Sequence, residues 1–172
     1  FLTMKRLVVI RHAKSSWKDP GLRDFDRPLN KRGKTDAPEM GRRLARRSLV
    51  PDRLLTSPAR RAIRTAEVIA GAIGFPAGRI TPMDRLYGAG FADLIGILQG
   101  LDDAEDTVFL VGHNPGLTDL INSICSAFLD NLPTCGVFCA DFEISSWKEI
   151  GRRPGKCVFM DFPKHPPAGS TA

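Results

Sequence analysis

The chain has 172 residues, of which 42% are hydrophobic and 26% are charged, and its formal net charge at pH 7 is +6. This length fits one domain with a sizeable core, and the composition excludes disordered and fibrous proteins. The excess of cations favours an anionic partner such as nucleic acid, anionic lipid or a phosphorylated substrate. Acidic residues are interleaved with the arginines and leave no continuous basic stripe, so we predict that nucleic acid is not a partner.

The first half of the chain alternates between strand and helix. Residues 7–10 are a short apolar, β-branched run, which predicts a strand buried on both faces. A polar loop leads to an amphipathic helix over residues 30–48, with Asn30 as its N-cap. A second short strand follows at residues 52–56, and residues 59–74 have helical periodicity.

The second half continues the same alternation and then changes. A strand at residues 79–83 is followed by a helix over residues 91–101. The most apolar strand is predicted at residues 107–111, and a helix then runs from residue 115 to about residue 128. Two β-rich runs without a helix of comparable length between them close the pattern, at residues 137–144 and 156–162.

Strands that alternate with helices predict an α/β fold. We expect a three-layer α/β/α sandwich around a mostly parallel central sheet of about six strands. Because no long helix separates the last two strands, one edge region of the sheet is expected to be antiparallel. The domain is predicted to span residues 4–162.

The two ends of the sequence and its cysteines suggest a cytoplasmic protein. Met4 is the expected natural start, which makes residues 1–3 an expected cloning remnant, and the proline-rich residues 163–172 are expected to be disordered. No run approaches 18 apolar residues, so we predict no association with a membrane. The cysteines fit neither a disulfide framework nor a zinc site, which indicates free thiols in a reducing compartment. They are Cys125, Cys135, Cys139 and Cys157.

Cationic residues and histidines stand where three of the predicted strands end. Arg11 and His12 follow the first strand. Arg60 and Arg61 come soon after the second, and His113 follows the fourth. Ligand sites of open parallel sheets lie beyond the carboxyl ends of the strands, so we expect these side chains to converge.

Such a cluster has the chemistry of a phosphoryl site. Arginine pairs with phosphate oxygens through a planar fork, and two imidazoles among several guanidiniums would repel one another unless a dianion normally lay between them. Binding alone does not require histidine, which is nucleophilic when neutral and titrates near pH 7. Neither a carboxylate cluster for Mg²⁺ nor a zinc spacing is present in the sequence, so we predict that no metal or other cofactor is used.

Four motifs in this order carry a resemblance to a known family. They are 11-RHAKSSW-17, 24-DFDRPLNKRG-33, 57-SPARRAIRTA-66 and 112-GHNPG-116. Together they resemble the short, SixA-type phosphohistidine phosphatases of the histidine phosphatase superfamily, which also contains the cofactor-dependent phosphoglycerate mutases. The resemblance spans residues 5–162, nearly the whole chain.

The resemblance implies a role for each matching residue. His12 would be the nucleophile, and Arg11, Arg61 and His113 would hold the phosphoryl oxygens. Arg27 would be a further arginine of the substrate pocket.

Alternative roles stay open for three further residues. The family arginine stands four residues after the serine of the Ser-Pro pair, which selects Arg61, although Arg60 stays a candidate for substrate binding. Ser15 is a candidate for donating a hydrogen bond to phosphate, or it simply turns the loop. Trp17 either packs that loop down or forms part of a surface for a partner protein.

The general acid is the point where the chain departs from its larger relatives. Those proteins supply a glutamate after the second helix, but residues 68–104 of this chain contain none. The aspartates available instead are Asp84, Asp93, Asp24 and Asp26. For the first two, surface or capping roles are favoured, and for the last two, steering of Arg27 is favoured.

The predicted function is hydrolysis of phosphoryl groups through a phosphorylated His12. A missing acid is tolerable when the leaving group is good, so phosphohistidine in proteins or another phosphoramidate is the favoured substrate. The expected partner is therefore a phosphorylated substrate, such as a phosphohistidine-bearing protein. A phosphomonoesterase acting on small metabolites is the main alternative, followed by a non-catalytic module that binds phosphorylated partners. A mutase is disfavoured because the chain has little spare length for a lid.

Overall fold

Residues 3–166 are described by a computed structural model. Their strands alternate with helices up to the fourth helix, as the sequence predicts. The strands are β1 (Lys5–Arg11), β2 (Arg53–Thr56), β3 (Ile80–Pro82), β4 (Thr107–Gly112), β5 (Val137–Phe142) and β6 (Lys156–Asp161). The helices are α1 (Lys31–Arg46), α2 (Arg60–Ile73), α3 (Phe91–Gln99) and α4 (Gly116–Ile124).

The six strands form one sheet in the order β3-β2-β4-β1-β5-β6. The pairs β1–β4, β2–β4 and β2–β3 are parallel. Strand β5 pairs antiparallel with both β1 and β6, so the antiparallel region includes the junction with β1 as well as the outer pair. The predicted mostly parallel sheet with an antiparallel edge is confirmed.

Apolar side chains on both faces of the sheet define three layers. Val8 and Ile10 of β1 point toward α1 and α2, whereas Leu7 and Val9 point toward α3 and α4. This alternation is the period of two that a strand imposes on its side chains. Because both faces are covered, β1 is apolar at consecutive positions, which is the pattern of a strand in a parallel sheet.

Local signals set the ends of the helices. The side chain of Asn30 accepts a hydrogen bond from the N–H of Gly33 at 2.8 Å, so the predicted N-cap of α1 is confirmed. Helix α2 ends at Ile73 and is capped by Gly74, whose φ of 77° is in the left-handed region that glycine adopts freely. Helix α4 ends at Ile124 rather than near residue 128, because the Asn122 side chain bonds both the N–H and the carbonyl of Leu129 and turns the chain back.

The end of the described chain packs against α1. Arg43 of α1 is buried and pairs with Asp161 at 2.9 Å, and it donates to the carbonyls of Phe162, Pro163 and His165. The start of the predicted disordered tail therefore forms a turn on this arginine. Residues 167–172 lie outside the described residues. Within residues 3–166, no helix has both the length and the apolar character to cross a membrane.

Candidate active site

Strand register brings the two histidines together. Arg11 pairs with Gly112 in the parallel β1–β4 ladder, and the N–H of His12 donates to the Gly112 carbonyl at 3.1 Å. His12 and His113 therefore leave the sheet side by side, and their ring centroids are 5.1 Å apart. This is the carboxyl edge of the parallel strands, where the sequence predicts the site.

The hydrogen bonds of His12 determine its tautomer. Its Nδ1 lies 2.8 Å from the carbonyl oxygen of Ala13, which can only accept, so Nδ1 carries the proton. Its Nε2 is then unprotonated, and it accepts a long hydrogen bond from the Nε of Arg61 at 3.4 Å. The N–H of Ala13 donates to Thr65 Oγ1 at 3.0 Å, which ties this turn to α2.

Burial keeps the His12 imidazole neutral. The side chain is buried, and this desolvation lowers its pKa to about 3 against the opposing bond to Ala13. The nearby charges of His113, Arg61 and Arg11 lower the pKa further in the same direction. A neutral imidazole with an unprotonated Nε2 is the nucleophilic form of histidine.

Asp24 holds two arginines of the site in place. Arg61 donates through Nη1 to the Asp24 carbonyl at 2.7 Å and through Nη2 to its Oδ2 at 3.0 Å. Arg27 donates to Oδ1 through both Nε and Nη2 at 3.1 Å. Partial burial alone would raise the pKa of Asp24, but hydrogen bonds from Tyr87, Arg61 and Arg27 lower it to about 2. Asp24 is therefore ionised, and both guanidiniums are fixed before any substrate arrives.

His113 is held between Ser57 and Arg61. Its Nε2 lies 2.7 Å from the Ser57 hydroxyl, and its Nδ1 lies 3.4 Å from Nη2 of Arg61. Because Arg61 can only donate, Nδ1 accepts and Nε2 carries the proton. Burial, followed by the charge of Arg61, lowers the His113 pKa to about 4. An anion beside this ring would act in the opposite direction and favour the imidazolium.

A pocket of about 250 Å³ is lined by both histidines and by three arginines. The predicted site residues among its lining are Arg11, His12, Ser15, Arg27, Arg61 and His113. The Arg11 Nη1 donates to the Leu132 carbonyl at 2.9 Å, and its buried Nε has no hydrogen-bond partner within residues 3–166. An unpaired buried N–H is costly, so Arg11 brings donor capacity that the described protein does not use.

Ser15 and Trp17 both contact Arg27. The Ser15 hydroxyl accepts from Nη1 of Arg27 at 2.7 Å. Trp17 is 73% exposed, and its ring centroid lies 3.5 Å from the guanidinium carbon of Arg27. This stacking is one contact between the loop of Trp17 and Arg27, and the exposed remainder of the ring leaves a surface for a partner, so both predicted roles of Trp17 stay open.

The structure corrects the prediction that Arg60 belongs to the substrate-binding residues of the pocket. It is exposed, and it lines a separate groove with Phe25, Asp26 and Ile63 instead of the histidine pocket. Successive residues of a helix are rotated by about 100°, so the first turn of α2 directs Arg61 into the site and Arg60 away from it.

All four acid candidates lie outside the pocket lining. Asp84 is exposed at the start of a single turn of 3-10 helix, and Asp93 accepts from the N–H of Gly90 at 3.1 Å as a cap of α3. Asp26 pairs with Arg23 at 2.8 Å, so the expectation that it steers Arg27 is wrong. Asp24 does steer Arg27, as its position in the sequence suggests.

Sequence reasoning missed two partners of the site. Tyr87 donates its hydroxyl to Asp24 Oδ2 at 2.8 Å, and its ring edge lies against His113 with centroids 5.7 Å apart. Ser57 is fully buried and bonds His113. Tyr87 is the only tyrosine of the chain and lies where larger relatives place their acid, which was the available signal. Ser57 begins the third of the four motifs, where its position in the sequence alone indicates no role.

Together, the fold and the pocket define a class of protein: an α/β enzyme with a neutral histidine among arginines that are set to bind a phosphoryl group. Residues 7–105 match the histidine phosphatase superfamily, branch 1. The chain belongs to that superfamily, and its fold is that of the SixA-type phosphohistidine phosphatases.

Individual relatives agree with this assignment. An uncharacterised protein of Mycobacterium tuberculosis is 37% identical over 164 residues, which cover 89% of this chain and 98% of that protein. A structure from Agrobacterium tumefaciens, provisionally assigned as the phosphohistidine phosphatase SixA, is 27% identical with a TM-score of 0.79 and covers 92% of this chain and 98% of its own. The protein histidine phosphatase SixA complexed with tungstate has a TM-score of 0.78 at 19% identity and covers 92% of this chain and 97% of its own. Family and site together support phosphatase activity.

Proposed function

We propose that this protein is a metal-independent phosphatase that acts through a covalent phosphohistidine on His12, and that its substrates are phosphohistidine in proteins or other phosphoramidates. The observation that carries the proposal is the state of His12. Its Nδ1–H donates a hydrogen bond to the Ala13 carbonyl, its pKa is lowered to about 3, and its Nε2 lone pair faces the guanidinium of Arg61.

The proposed reaction has two displacements at phosphorus. In the first, Nε2 of His12 forms a bond to phosphorus and the P–N bond of the substrate breaks. The electron pair of that bond stays on the departing imidazole, which leaves as a neutral ring because its other nitrogen already carries a proton. Charge on the three equatorial oxygens is stabilised by the arginines and by His113. In the second, water attacks the same phosphorus, the P–Nε2 bond breaks, and inorganic phosphate leaves a neutral His12.

The choice of a phosphoramidate substrate follows from the aspartates. Asp24 is the acid candidate that contacts the arginines of the site, and a pKa of about 2 leaves it without a proton to donate at neutral pH. Donation by a positioned acid contributes about 10²–10⁴-fold, most of all when the leaving group is poor. A site without such an acid is suited to an imidazole leaving group better than to the alkoxide of a sugar phosphate.

The charge on the phosphoryl oxygens would be neutralised by side chains instead of a metal ion. Arg11, Arg27 and Arg61 line one pocket together with His113. Each guanidinium is a fixed cation with several donors, which is the role that Mg²⁺ plays in many phosphoryl-transfer enzymes.

We infer that the protein acts in the cytoplasm. Its four cysteines all lie within residues 3–166 and are free thiols. Burial raises the pKa of Cys125, Cys135 and Cys139 to about 12, so these thiols are protonated and unreactive. Free thiols in this number are typical of a reducing compartment.

The test follows phosphate from free phosphohistidine and from p-nitrophenyl phosphate in wild type and His12→Ala. We expect wild type to turn over phosphohistidine faster, to survive EDTA unchanged, and to give an acid-labile phosphate on His12 after rapid quench. His12→Ala should have the wild-type circular dichroism spectrum and no turnover. More than a tenth of wild-type activity in this variant would refute the nucleophile, and restoration of an EDTA-treated enzyme by a divalent ion would refute metal independence.

A further inference from the structure

A groove with cationic walls lies next to the active-site pocket. Its volume is about 1020 Å³, and it runs between the loop after β1 and the first turns of α1. Its charged lining consists of the cations Lys18, Lys31, Arg32 and Lys34 and the carboxylate of Asp36. All four cations are exposed. We call this feature the basic groove.

The basic groove and the pocket share a wall. The segment of residues 14–18 lies beside residues 28–30 in an extended pairing. Ser15 forms a bridge with Leu29, and the N–H of Ser16 donates to the Pro28 carbonyl at 2.8 Å. The shared segment is therefore held in a strand-like conformation with one side toward each cavity.

Side chains along this wall alternate between the two cavities. Lys14 and Ser15 both line the pocket, and from Ser15 onward the sides alternate: Ser15 and Trp17 line the pocket, whereas Ser16 and Lys18 line the basic groove. This is the period of two that extended backbone imposes. A macromolecule that inserts a phosphorylated side chain into the pocket and continues over this wall, which is one segment thick, places its neighbouring residues in the groove.

The cations of the basic groove are mostly uncompensated. Within residues 3–166, Lys18, Lys31 and Lys34 form no ion pair, and Arg32 pairs with Asp36 at 3.3 Å. Three of the cations stand in the first turn of α1, which contains no acidic residue. Cations at the positive end of a helix dipole are unfavourable, so an anion in the groove would relieve a repulsion already present in the protein.

We propose that the basic groove binds an acidic segment of the protein that carries the phosphohistidine, an inference that rests on the proposed function of the pocket. Pro28 and Leu29 add apolar surface between the cations, as a peptide backbone with mixed side chains requires. Among the described residues that line the groove none is aromatic, so it lacks the series of rings on which successive nucleic-acid bases stack, and the exposed Trp17 beside it supplies a single ring. Exposed Trp17 continues the contact surface toward the pocket.

The test compares two synthetic phosphohistidine peptides that differ only in charge. In one peptide the phosphohistidine is flanked on both sides by aspartates, and in the other by asparagines of the same size. At low ionic strength we expect kcat/KM to be about 5- to 30-fold higher for the aspartate peptide, because several exposed ion pairs of modest strength add up when salt screening is weak.

Charge-reversal variants locate the effect. In Lys18→Glu/Lys31→Glu/Lys34→Glu the preference for aspartate should disappear. The matched control reverses three exposed cations near the opposite edge of the sheet, and it should keep the wild-type preference. The control is Lys148→Glu/Arg152→Glu/Arg153→Glu. Free phosphohistidine is too small to reach the groove, so all three proteins should hydrolyse it at the same rate.

Each outcome decides between the proposals. Equal kcat/KM for the two peptides in wild type would overturn the groove proposal, and so would tighter binding of an oligouridylate than of the aspartate peptide. If no phosphohistidine compound is hydrolysed, the proposed function fails. The groove is then still tested by fluorescence anisotropy of unphosphorylated peptides, where the aspartate form must bind wild type more tightly and lose that advantage in the Lys18, Lys31 and Lys34 variant.

Discussion

Arg60 and Arg61 are adjacent in sequence but lie on different sides of α2. Arg61 is 5% exposed and touches Asp24 and both histidines, whereas Arg60 is exposed in another groove. Position after the Ser-Pro pair favours Arg61 but leaves Arg60 open, because a pair of identical residues at a helix start carries no phase information. The phase of α2, which tertiary packing sets, resolves the choice.

These two arginines form a matched pair for mutation. We expect Arg61→Ala to lower kcat/KM by about 10- to 100-fold, because one charge-assisted contact of roughly 1.5–3 kcal/mol is lost. Arg60→Ala should change kcat/KM by less than about twofold, the usual scale for a surface substitution. Steady-state kinetics with phosphohistidine measures both, and an equal loss in the two variants would contradict the assignment of Arg61.

For Asp24, the structure favours orientation of the arginines over general acid catalysis. An ionised Asp24 that orients Arg27 and Arg61 affects every substrate alike, whereas a general acid affects poor leaving groups most. We expect Asp24→Asn to lower kcat/KM by about 10-fold across a series of aryl and alkyl phosphates, without changing the dependence on leaving-group pKa. A slope that steepens in this variant would identify Asp24 as the acid and favour phosphate esters as substrates. Asp93→Asn serves as a control that alters only the cap of α3.

The sequence predicts the ionic part of the site better than its neutral part. The four motifs contain the histidines and arginines of the site. Charged pairs at strand ends are rare, so their positions in the sequence identify them as site residues. Ser57 and Tyr87 bond His113 and Asp24 through single hydroxyl groups. Their partners lie 56 and 63 positions away, so only the folded arrangement reveals these contacts.

At the scale of elements, strands were predictable to within a few residues because apolar runs bounded by polar loops mark them. Helices α1 and α2 followed from their caps and periodicity. The end of α4 was predicted too late, since the apolar pattern continues past Ile124 while Asn122 bonds the backbone of Leu129. Side-chain to backbone bonds of this kind compete with helix continuation without changing the hydrophobic pattern.

The start of α1 supports the wall of the pocket through Gly33. A Cβ at this position would lie 2.2 Å from the carbonyl oxygen of Lys14, so alanine must displace the backbone that leads from His12 to Trp17. We expect Gly33→Ala to lower both the melting temperature and kcat/KM. Gly71→Ala in α2 is the control, because a Cβ there meets nothing within 4 Å, and alanine should be neutral or stabilise by up to about 1 kcal/mol. Wild-type activity in Gly33→Ala would show that the wall tolerates displacement.

At the scale of the whole molecule, the fold brings its electrostatically unfavourable groups together at one edge of the sheet. A buried His12, a partly buried His113 and several arginines share a small pocket, and desolvation, followed by the nearby positive charges, keeps both imidazoles neutral. The net charge of +6 predicts an anionic partner, but it does not indicate where the cations lie together in the folded protein. Their convergence depends on the order of the strands, which a single sequence leaves open.

This arrangement makes stability depend on pH in a defined direction. His12 and His113 have pKa values of about 3 and about 4 in the folded protein, below the ordinary value of 6.5. Between pH 6.5 and about 4 the unfolded chain therefore binds protons that the folded protein does not. The histidine contribution to stability is complete above pH 6.5 and is lost as the pH falls toward the folded pKa values.

We expect the free energy of unfolding to fall on acidification from pH 7 to pH 5 by up to about 1.4 kcal/mol per pH unit for each histidine. Urea unfolding at half-unit intervals measures this slope. The double variant His12→Gln/His113→Gln should flatten it, because glutamine does not titrate and the unfolded chain then gains no extra protons at these positions. Asp24 does not contribute in this window, since its stabilisation is lost only as the pH falls from its ordinary pKa of 3.8 toward about 2. An unchanged slope in the double variant would mean that the pocket already holds its histidines protonated, and the neutral nucleophile would then be wrong.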